Sequence, residues 1–232
     1  MIQVKNLSFK YEEHGVLTDI NLEIKEGSFT AIIGANGSGK STLAKHFNAL
    51  LLPAKGIVSV DGIDTKKNQF EIRKKVGFVF QDFDSQIVYP VVQEDIAFGL
   101  ENLGLTNADI KKIINETLEK LKIKKLANSN VNTLSLGQKQ LIALAGVLAM
   151  RPKCIIFDEP TTMLDSVNKK NILSIIKELN EKDKLTIVMI TNALDDLHYA
   201  DRIVVLKEGR IIFNDRKELL DKKILLQAQL YV

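Results

Sequence analysis

The chain of 232 residues has no tryptophan, one cysteine and four prolines, and aromatic residues make up only 6% of it. A stacking platform for single-stranded nucleic acid needs a series of aromatic rings, and the sequence does not supply one. The lone cysteine, Cys154, excludes an internal disulfide framework; it falls in an apolar run and reads as a small core residue of a protein kept in a reducing cytoplasm. No run reaches the ~18 apolar residues that mark a membrane span, and the start, Met1-Ile2-Gln3-Val4-Lys5, lacks a signal-peptide pattern. Any membrane role is therefore expected to run through a partner. A net charge of +3 is too small to argue for nucleic acid. Apolar content of 45% with 26% charged residues is ordinary for a soluble globular chain, and the length suits one larger domain or a domain carrying a subdomain.

What the sequence does have is Gly34-Ala35-Asn36-Gly37-Ser38-Gly39-Lys40-Ser41-Thr42. Before it stands Phe29-Thr30-Ala31-Ile32-Ile33, short and apolar like a buried parallel strand; after it, apolar residues from Leu43 to Leu51 recur at helical spacing. Strand, glycine loop and helix are the context of a phosphate-binding P-loop. Glycines let the backbone wrap an anion with its N–H groups pointing inward, and the helix N-terminus adds partial positive charge. In such a loop Lys40 reaches the β- and γ-phosphates and the Ser41 hydroxyl ligates Mg²⁺. The bland alternative is a glycine-rich turn without a ligand.

The rest of the chain supplies a frame. Ile2–Phe9 and Leu17–Ile24 alternate like half-exposed antiparallel strands, and Ile57–Val60 runs into the turn signal Asp61-Gly62. Tyr11, between the first two strands, either packs the hairpin or stacks on a nucleotide base. Val76–Phe80 is a further apolar strand, ending at Gln81, and Asp82–Gln86 is loop-like. From Val92 the period becomes helical, with Val92, Ile96, Leu100 and Leu103 on one face, then Ile113, Ile114, Leu118 and Leu121. With no strand from about 93 to 150, this stretch reads as an inserted helical subdomain, closed by an Ala/Leu-rich helix from Lys139 to Met150. Cys154–Glu159 and Leu185–Ile190 are read as strands, the second as the last buried one, with a short helix after Thr191-Asn192. Ile203–Leu206 and Arg210–Phe213 form a closing hairpin, and 214–232 an amphipathic helical tail. The expected fold class is α/β: a P-loop NTPase, RecA-like core with a mixed sheet, an antiparallel β subdomain and the helical insertion, in one domain over 1–232.

Apolar residues ending on Asp158-Glu159 set two carboxylates at the C-terminal edge of the central sheet, where ligands sit in open α/β folds. Asp158 is placed to hold Mg²⁺ opposite Ser41, and Glu159 to polarise an attacking water; a solvated acid pair at a strand end is the alternative. The series P-loop, Gln81, Leu134-Ser135-Leu136-Gly137-Gln138, Asp158-Glu159-Pro160, Leu164-Asp165 and Ile190-Thr191 resembles an ATP-binding cassette (ABC) ATPase over nearly the whole chain. The resemblance implies ATP and Mg²⁺ as cofactors, with Asn36, Gly37, Ser38, Gly39, Lys40, Ser41 and Thr42 as the phosphate cradle. It also implies that Tyr11 stacks on adenine, that Gln81 joins the Mg²⁺ shell and senses a transmembrane partner, and that Glu159 is the general base. Ser135, Gly137 and Gln138 then cap ATP on an opposing subunit, and Asp165 belongs to the loop between the two sites. The positive end of the helix after Ser135 suits an anion, while Ser135 is equally an ordinary helix cap. Phe80-Gln81-Asp82-x-Asp84-x-Gln86 and Glu94–Gly104 further resemble the ATPases of energy-coupling factor transporters, importers of vitamins and of metal ions such as cobalt and nickel.

Three departures qualify the resemblance. Asn192 stands where the family has a switch histidine; its amide hydrogen-bonds a γ-phosphate oxygen but neither carries charge nor shuttles a proton. His198, six residues on, reads as a surface residue. Leu136 replaces a glycine of the signature, and its β-carbon hinders close approach to a partner's phosphate. The C-terminal extension usual in energy-coupling factor ATPases is short here. A homodimer would carry the first two defects in both sites, so a heterodimer with a related cassette subunit is expected, on the cytoplasmic face of the membrane. Its other partners are an integral membrane coupling protein and a substrate-binding membrane component. Slowed hydrolysis is expected at this chain's own P-loop. A soluble cassette protein of repair, translation or iron–sulfur assembly, and a weakly catalytic regulatory subunit, are the competing readings; a P-loop small-molecule kinase would leave the signature and Leu164-Asp165 without a job.

Overall fold

The computed structural model describes residues 1–230. In chain order the elements are β1 (Ile2–Tyr11), β2 (His14–Ile24), β3 (Phe29–Ile33), α1 (Lys40–Phe47), β4 (Lys55–Val60), β5 (Ile63–Asp64), α2 (Gln69–Lys75) and β6 (Val76–Val79). Then follow α3 (Val92–Asn102), α4 (Asn107–Lys120), α5 (Leu136–Ala149), β7 (Cys154–Asp158), α6 (Ser166–Glu181), β8 (Thr186–Ile190), β9 (Arg202–Lys207), β10 (Arg210–Arg216) and α7 (Lys222–Gln227).

The strands form two sheets. A six-stranded sheet runs β10-β9-β3-β8-β7-β6, parallel throughout except for β10, which pairs antiparallel at the edge. A four-stranded antiparallel sheet runs β2-β1-β4-β5. β3, β7 and β8 are buried at every position, which explains their unbroken apolar runs: both faces are covered. One face, with Ile32, Ile156, Val188 and Ile190, packs with Leu43, Ala44 and Phe47 of α1 and the inner side of the antiparallel sheet. The other, with Ala31, Ile155, Phe157, Ile187 and Met189, packs with α3, α4, α5 and α6.

The order of pairing matters more for function than the packing. Asp158 stands opposite Ile190 and Val79 opposite Phe157, while Ile32 also stands opposite Ile190. The loops leaving β3, β6, β7 and β8 therefore leave one edge of the sheet side by side. Those loops carry Gly34–Gly39, Gln81, Glu159 and Asn192.

Several expectations are corrected. The P-loop helix begins at Lys40 and ends at Phe47, so Asn48–Leu51 lie beyond it. Tyr11 is the last residue of β1 rather than a residue between strands. The helix expected from Lys139 starts at Leu136, fixed by a capping box between Ser135 and Gln138. Leu185–Ile190 is not the last buried strand: Ile203–Leu206 of β9 are fully buried and pair in parallel with β3. After Asn192 the turn over Leu194–Tyr199 is a 3₁₀ helix, with His198 exposed. The helical tail is also shorter, since 214–216 finish β10, Lys217–Leu219 form a 3₁₀ turn and only Lys222–Gln227 are α-helical. Residues 231–232 of that expected tail lie outside the described residues. Two helices had no counterpart in the sequence reading, α2 and the long α6. Cys154 is fully buried, and burial pushes its thiol pKa up, as suits an inert core residue.

Ile156 sits at the middle of β7 with no exposed surface. Replacing it by alanine is expected to lower unfolding stability by about 2–5 kcal/mol, because a cavity at the sheet centre cannot collapse. Denaturant titration checks this as a shift in midpoint at unchanged slope.

Candidate nucleotide site

The P-loop begins where β3 ends. Gly34, at φ +152°, is pressed so close to β9 that an added Cβ would lie 2.2 Å from the Leu206 carbonyl oxygen, so only glycine turns the chain here. Gly39 caps α1 without a side-chain bond, leaving the first N–H groups of the helix facing the loop. A cavity of 330 Å³ opens over them, lined by Tyr11, Val16, Asn36, Gly37, Gly39, Lys40, Ser41, Thr42 and Glu159. Ser38 Oγ is buried and, among the described residues, without a partner.

Lys40 is 5% exposed, and its ammonium donates to the carbonyl oxygens of Gly34 (2.8 Å) and Ala35 (3.1 Å). Burial lowers its pKa, while Glu159 and Asp158 oppose that shift. The cation is thus parked on its own loop, with two weak acceptors that an anionic oxygen outcompetes. Next to it the Ser41 hydroxyl donates to Asp158 Oδ1 at 2.9 Å. Asp158, 6% exposed, has its pKa raised by burial, lowered by the Ser41 bond, and raised again by neighbouring Glu159.

Glu159 is the meeting point of three loops. Its Oε2 accepts from Gln81 Nε2 (3.1 Å) and from Thr162 Oγ1 (3.2 Å), and its Oε1 from Asn192 Nδ2 (3.2 Å). Asn192 Nδ2 also donates to Asn36 Oδ1 of the P-loop at 2.6 Å, while its own Oδ1 is buried without a partner among the described residues. Glu159 holds φ +48°, a left-handed conformation uncommon outside glycine and turn residues. Tyr11, 44% exposed, edges onto Phe9 at 4.9 Å between ring centres, and Phe9 in turn onto buried His46 at 4.7 Å.

The remaining predicted residues form a second cluster. Ser135 caps α5, its Oγ accepting from Gln138 N while Gln138 Oε1 accepts from Ser135 N. Asp165 caps α6 by accepting from the N–H groups of Val167 and Asn168; these bonds, with the Asn168 side chain, hold its carboxyl below the usual range. Gly137 is pressed against α6: a Cβ there would lie 2.7 Å from Asn168 Oδ1. Leu136 points outward, 48% exposed. None of Ser135, Gly137, Gln138 or Asp165 lines the P-loop cavity.

Asn168 was missed in the sequence, as were Val16 and Thr162. The capped run from Asp165 with Ile172, Leu173, Ile176 and Leu179 at helical spacing would have revealed α6 and Asn168 with it. Nothing local marks Val16.

Fold and site together define a P-loop nucleotide hydrolase built as a cassette. The ABC transporter family matches residues 17–162. The energy-coupling factor transporter ATP-binding protein EcfA1 of Clostridium novyi (strain NT) is 49% identical over 219 residues, covering 91% of this chain and 78% of the relative. Among solved structures, cbiO1 from Clostridium perfringens, part of the ABC transporter complex cbiONQ, superposes with a TM-score of 0.88 at 36% identity, covering 97% of this chain and 92% of that one. The dimeric ATP-binding cassette MJ0796, bound to ADP and Pi in a post-hydrolysis state, gives a TM-score of 0.81 at 33% identity, covering 93% of this chain and 98% of that one. The chain belongs to the ABC transporter family, and it is an ATP-binding subunit and ATP hydrolase of that class.

Replacing Lys40 by alanine is expected to weaken ATP binding by roughly 1.5–3 kcal/mol, the worth of hydrogen bonds to a charged group. Titration with a fluorescent ATP analogue checks it. An unchanged affinity would remove Lys40 from the phosphate site.

Proposed function

We propose that this chain is the ATPase subunit of an energy-coupling factor importer of a vitamin or transition-metal ion. It works as one half of a nucleotide sandwich with a non-identical cassette subunit. The observation that carries the reading is the separation of two half-sites within one chain. The P-loop cluster has the cradle, the acids and the adenine-side tyrosine, while Ser135, Gly137 and Gln138 sit at a helix N-terminus facing none of it. Two cassettes placed head to tail give each cluster a complement. The names of the similar proteins, EcfA1 and a cbiO1 that is part of cbiONQ, support the importer class, and the dimeric cassette holding ADP and Pi supports the sandwich.

In this reading Tyr11 stacks on adenine, and Asn36, Gly37, Ser38, Gly39, Lys40, Ser41 and Thr42 hold the phosphates. Ser41, Asp158 and Gln81 are oxygen donors of the hard kind that suit Mg²⁺; Ser41 and Asp158 already lie within hydrogen-bond reach of each other, and the ion would neutralise phosphate charge. Glu159 accepts the proton of the attacking water, and Asn192, poised between the P-loop and Glu159, donates to the γ-phosphate. Asp165, at the cap of α6, lies between the paired sites. The protein sits at the cytoplasmic face of the membrane through an integral coupling protein and a substrate-binding component; among the described residues no helix is long and apolar enough to cross a membrane itself. Asn192 and Leu136 favour a heterodimer, because a homodimer would repeat both departures in each site.

Asn192→His should raise kcat of the complex purified from its host's membranes by about tenfold, since an imidazole adds a titratable donor where the amide has none. Steady-state ATPase assays check this; an unchanged or lower kcat contradicts the assigned role. Co-purification of the tagged chain from its host's membranes should bring a second cassette ATPase and a membrane protein. A stable homodimer with full turnover would end the heterodimer reading, and recovery from the soluble fraction alone would end the transport reading.

A further inference from the structure

A buried carboxylate outside the nucleotide cavity joins the two loops that carry Glu159 and Asn192. Asp196, in the 3₁₀ turn over Leu194–Tyr199, has no exposed surface. Its Oδ2 accepts from two hydroxyls at once, Thr161 Oγ1 at 2.5 Å and Thr191 Oγ1 at 3.0 Å. Its Oδ1 lies 2.8 Å from the ammonium of Lys169 on α6, an ion-pair contact without hydrogen-bond geometry. Thr161 and Thr191 are themselves 6% and 2% exposed. Thr161 follows Glu159 by two residues, and Thr191 immediately precedes Asn192.

Stability alone is a poor account of this cluster. Asp196 is fully buried while Lys169 keeps 26% of its side chain exposed, and the cost of taking the carboxylate out of water offsets most of what such a pair gains. The geometry around it is better explained by what it holds. Glu159 keeps a left-handed backbone at φ +48°, a conformation that costs about 1–3 kcal/mol and persists only where its surroundings over-determine it. The Glu159 N–H donates to the Ile190 carbonyl at 2.9 Å, Gln140 Nε2 of α5 donates to the Pro160 carbonyl, and Asp196 anchors Thr161. On the opposite strand Thr191 Oγ1 donates to the same carboxylate while accepting from Ala193 N at 3.0 Å, so Asn192 is bracketed as well.

We infer that Asp196 is a positioning residue: by gripping Thr161 and Thr191 with one oxygen, it sets the spacing between Glu159 and Asn192, and through Lys169 it ties that spacing to α6. Asp196 touches neither the nucleotide cavity nor the reacting atoms and acts only through the two threonines. The inference rests on the reading of Glu159 and Asn192 as the pair that acts on the γ-phosphate.

The test is a double-mutant cycle in the full chain, with kcat, KM for ATP and thermal unfolding measured for wild type, Thr161→Val, Asn192→Ala and the two combined. Thr161→Val removes one donor at nearly constant volume and leaves Asp196 with Thr191 and Lys169. It is expected to lower kcat about tenfold at little-changed KM, the scale of a small misplacement of catalytic groups. In the Asn192→Ala background the same substitution should change kcat by less than about twofold, since coupled residues are non-additive, while lowering the unfolding temperature as much as before. Asp196→Asn, which keeps shape and weakens the Lys169 contact, should show the same loss confined to kcat. The proposal is overturned if the losses multiply across the cycle, if KM rises instead of kcat falling, or if kcat falls only in step with the folded fraction. Asn192→Ala with full turnover would overturn the reading of the pair itself, and this inference with it.

Discussion

One register governs the molecule. Asp158 faces Ile190 across β7 and β8, and Ile190 faces Ile32 across β8 and β3. Because strand side chains alternate, a slip of one residue in either pairing would turn every core side chain of a strand to the wrong face. Both faces of these strands are buried, so the register is specified twice over. The same pairing, carried one or two residues further, puts Glu159 beside Gln81 and Asn192 beside both Glu159 and Asn36. The nucleotide site is thus a by-product of core packing: apolar residues choose the register, and the register delivers the polar ones.

What the register assembles is costly on its own terms. Lys40, Asp158 and Glu159 crowd together, two of them nearly buried. Burial works against the charge on Lys40 and on Asp158, and Asp158 also feels Glu159. Ser38 Oγ and Asn192 Oδ1 are left with no protein partner among the described residues. Strained backbone, crowded charge and orphaned polar atoms collect where a protein holds a ligand rather than where it holds itself together. Left-handed Glu159, the crowded Lys40 and Asp158, and the orphaned Ser38 Oγ and Asn192 Oδ1 bring all three together at the C-terminal edge of one sheet.

How much of this was legible in the sequence follows from which signals are local. The P-loop, the carboxylates after Phe157 and the parallel strands were readable because each is a short pattern with its own physical meaning: glycines for close approach, an apolar run for burial on both faces. The start of α1 has no apolar signal because its first turn, Lys40–Thr42, is polar. β9 does form the expected closing hairpin with β10, but its burial has no local signal, because its partner β3 lies far away in sequence and only topology covers it. α6 carries its own signal in the spacing of Ile172, Leu173, Ile176 and Leu179. Gly137 is the most telling case. The signature suggested a glycine kept free for a partner's phosphate, yet in the structure it also makes room for Asn168 of its own chain. Contacts between elements far apart in sequence leave no mark in either one.

The position of Lys40 bears on how fast the protein trades nucleotides. Its ammonium bonds the Gly34 and Ala35 carbonyls, so the cation braces the loop that carries it. On the proposed reading, a phosphate oxygen takes over from these carbonyls as acceptor. The reverse swap is equally direct, since a departing product leaves Lys40 partners within reach. On that reading, the residence time of a nucleotide at the open half-site is set by whatever closes over the cavity.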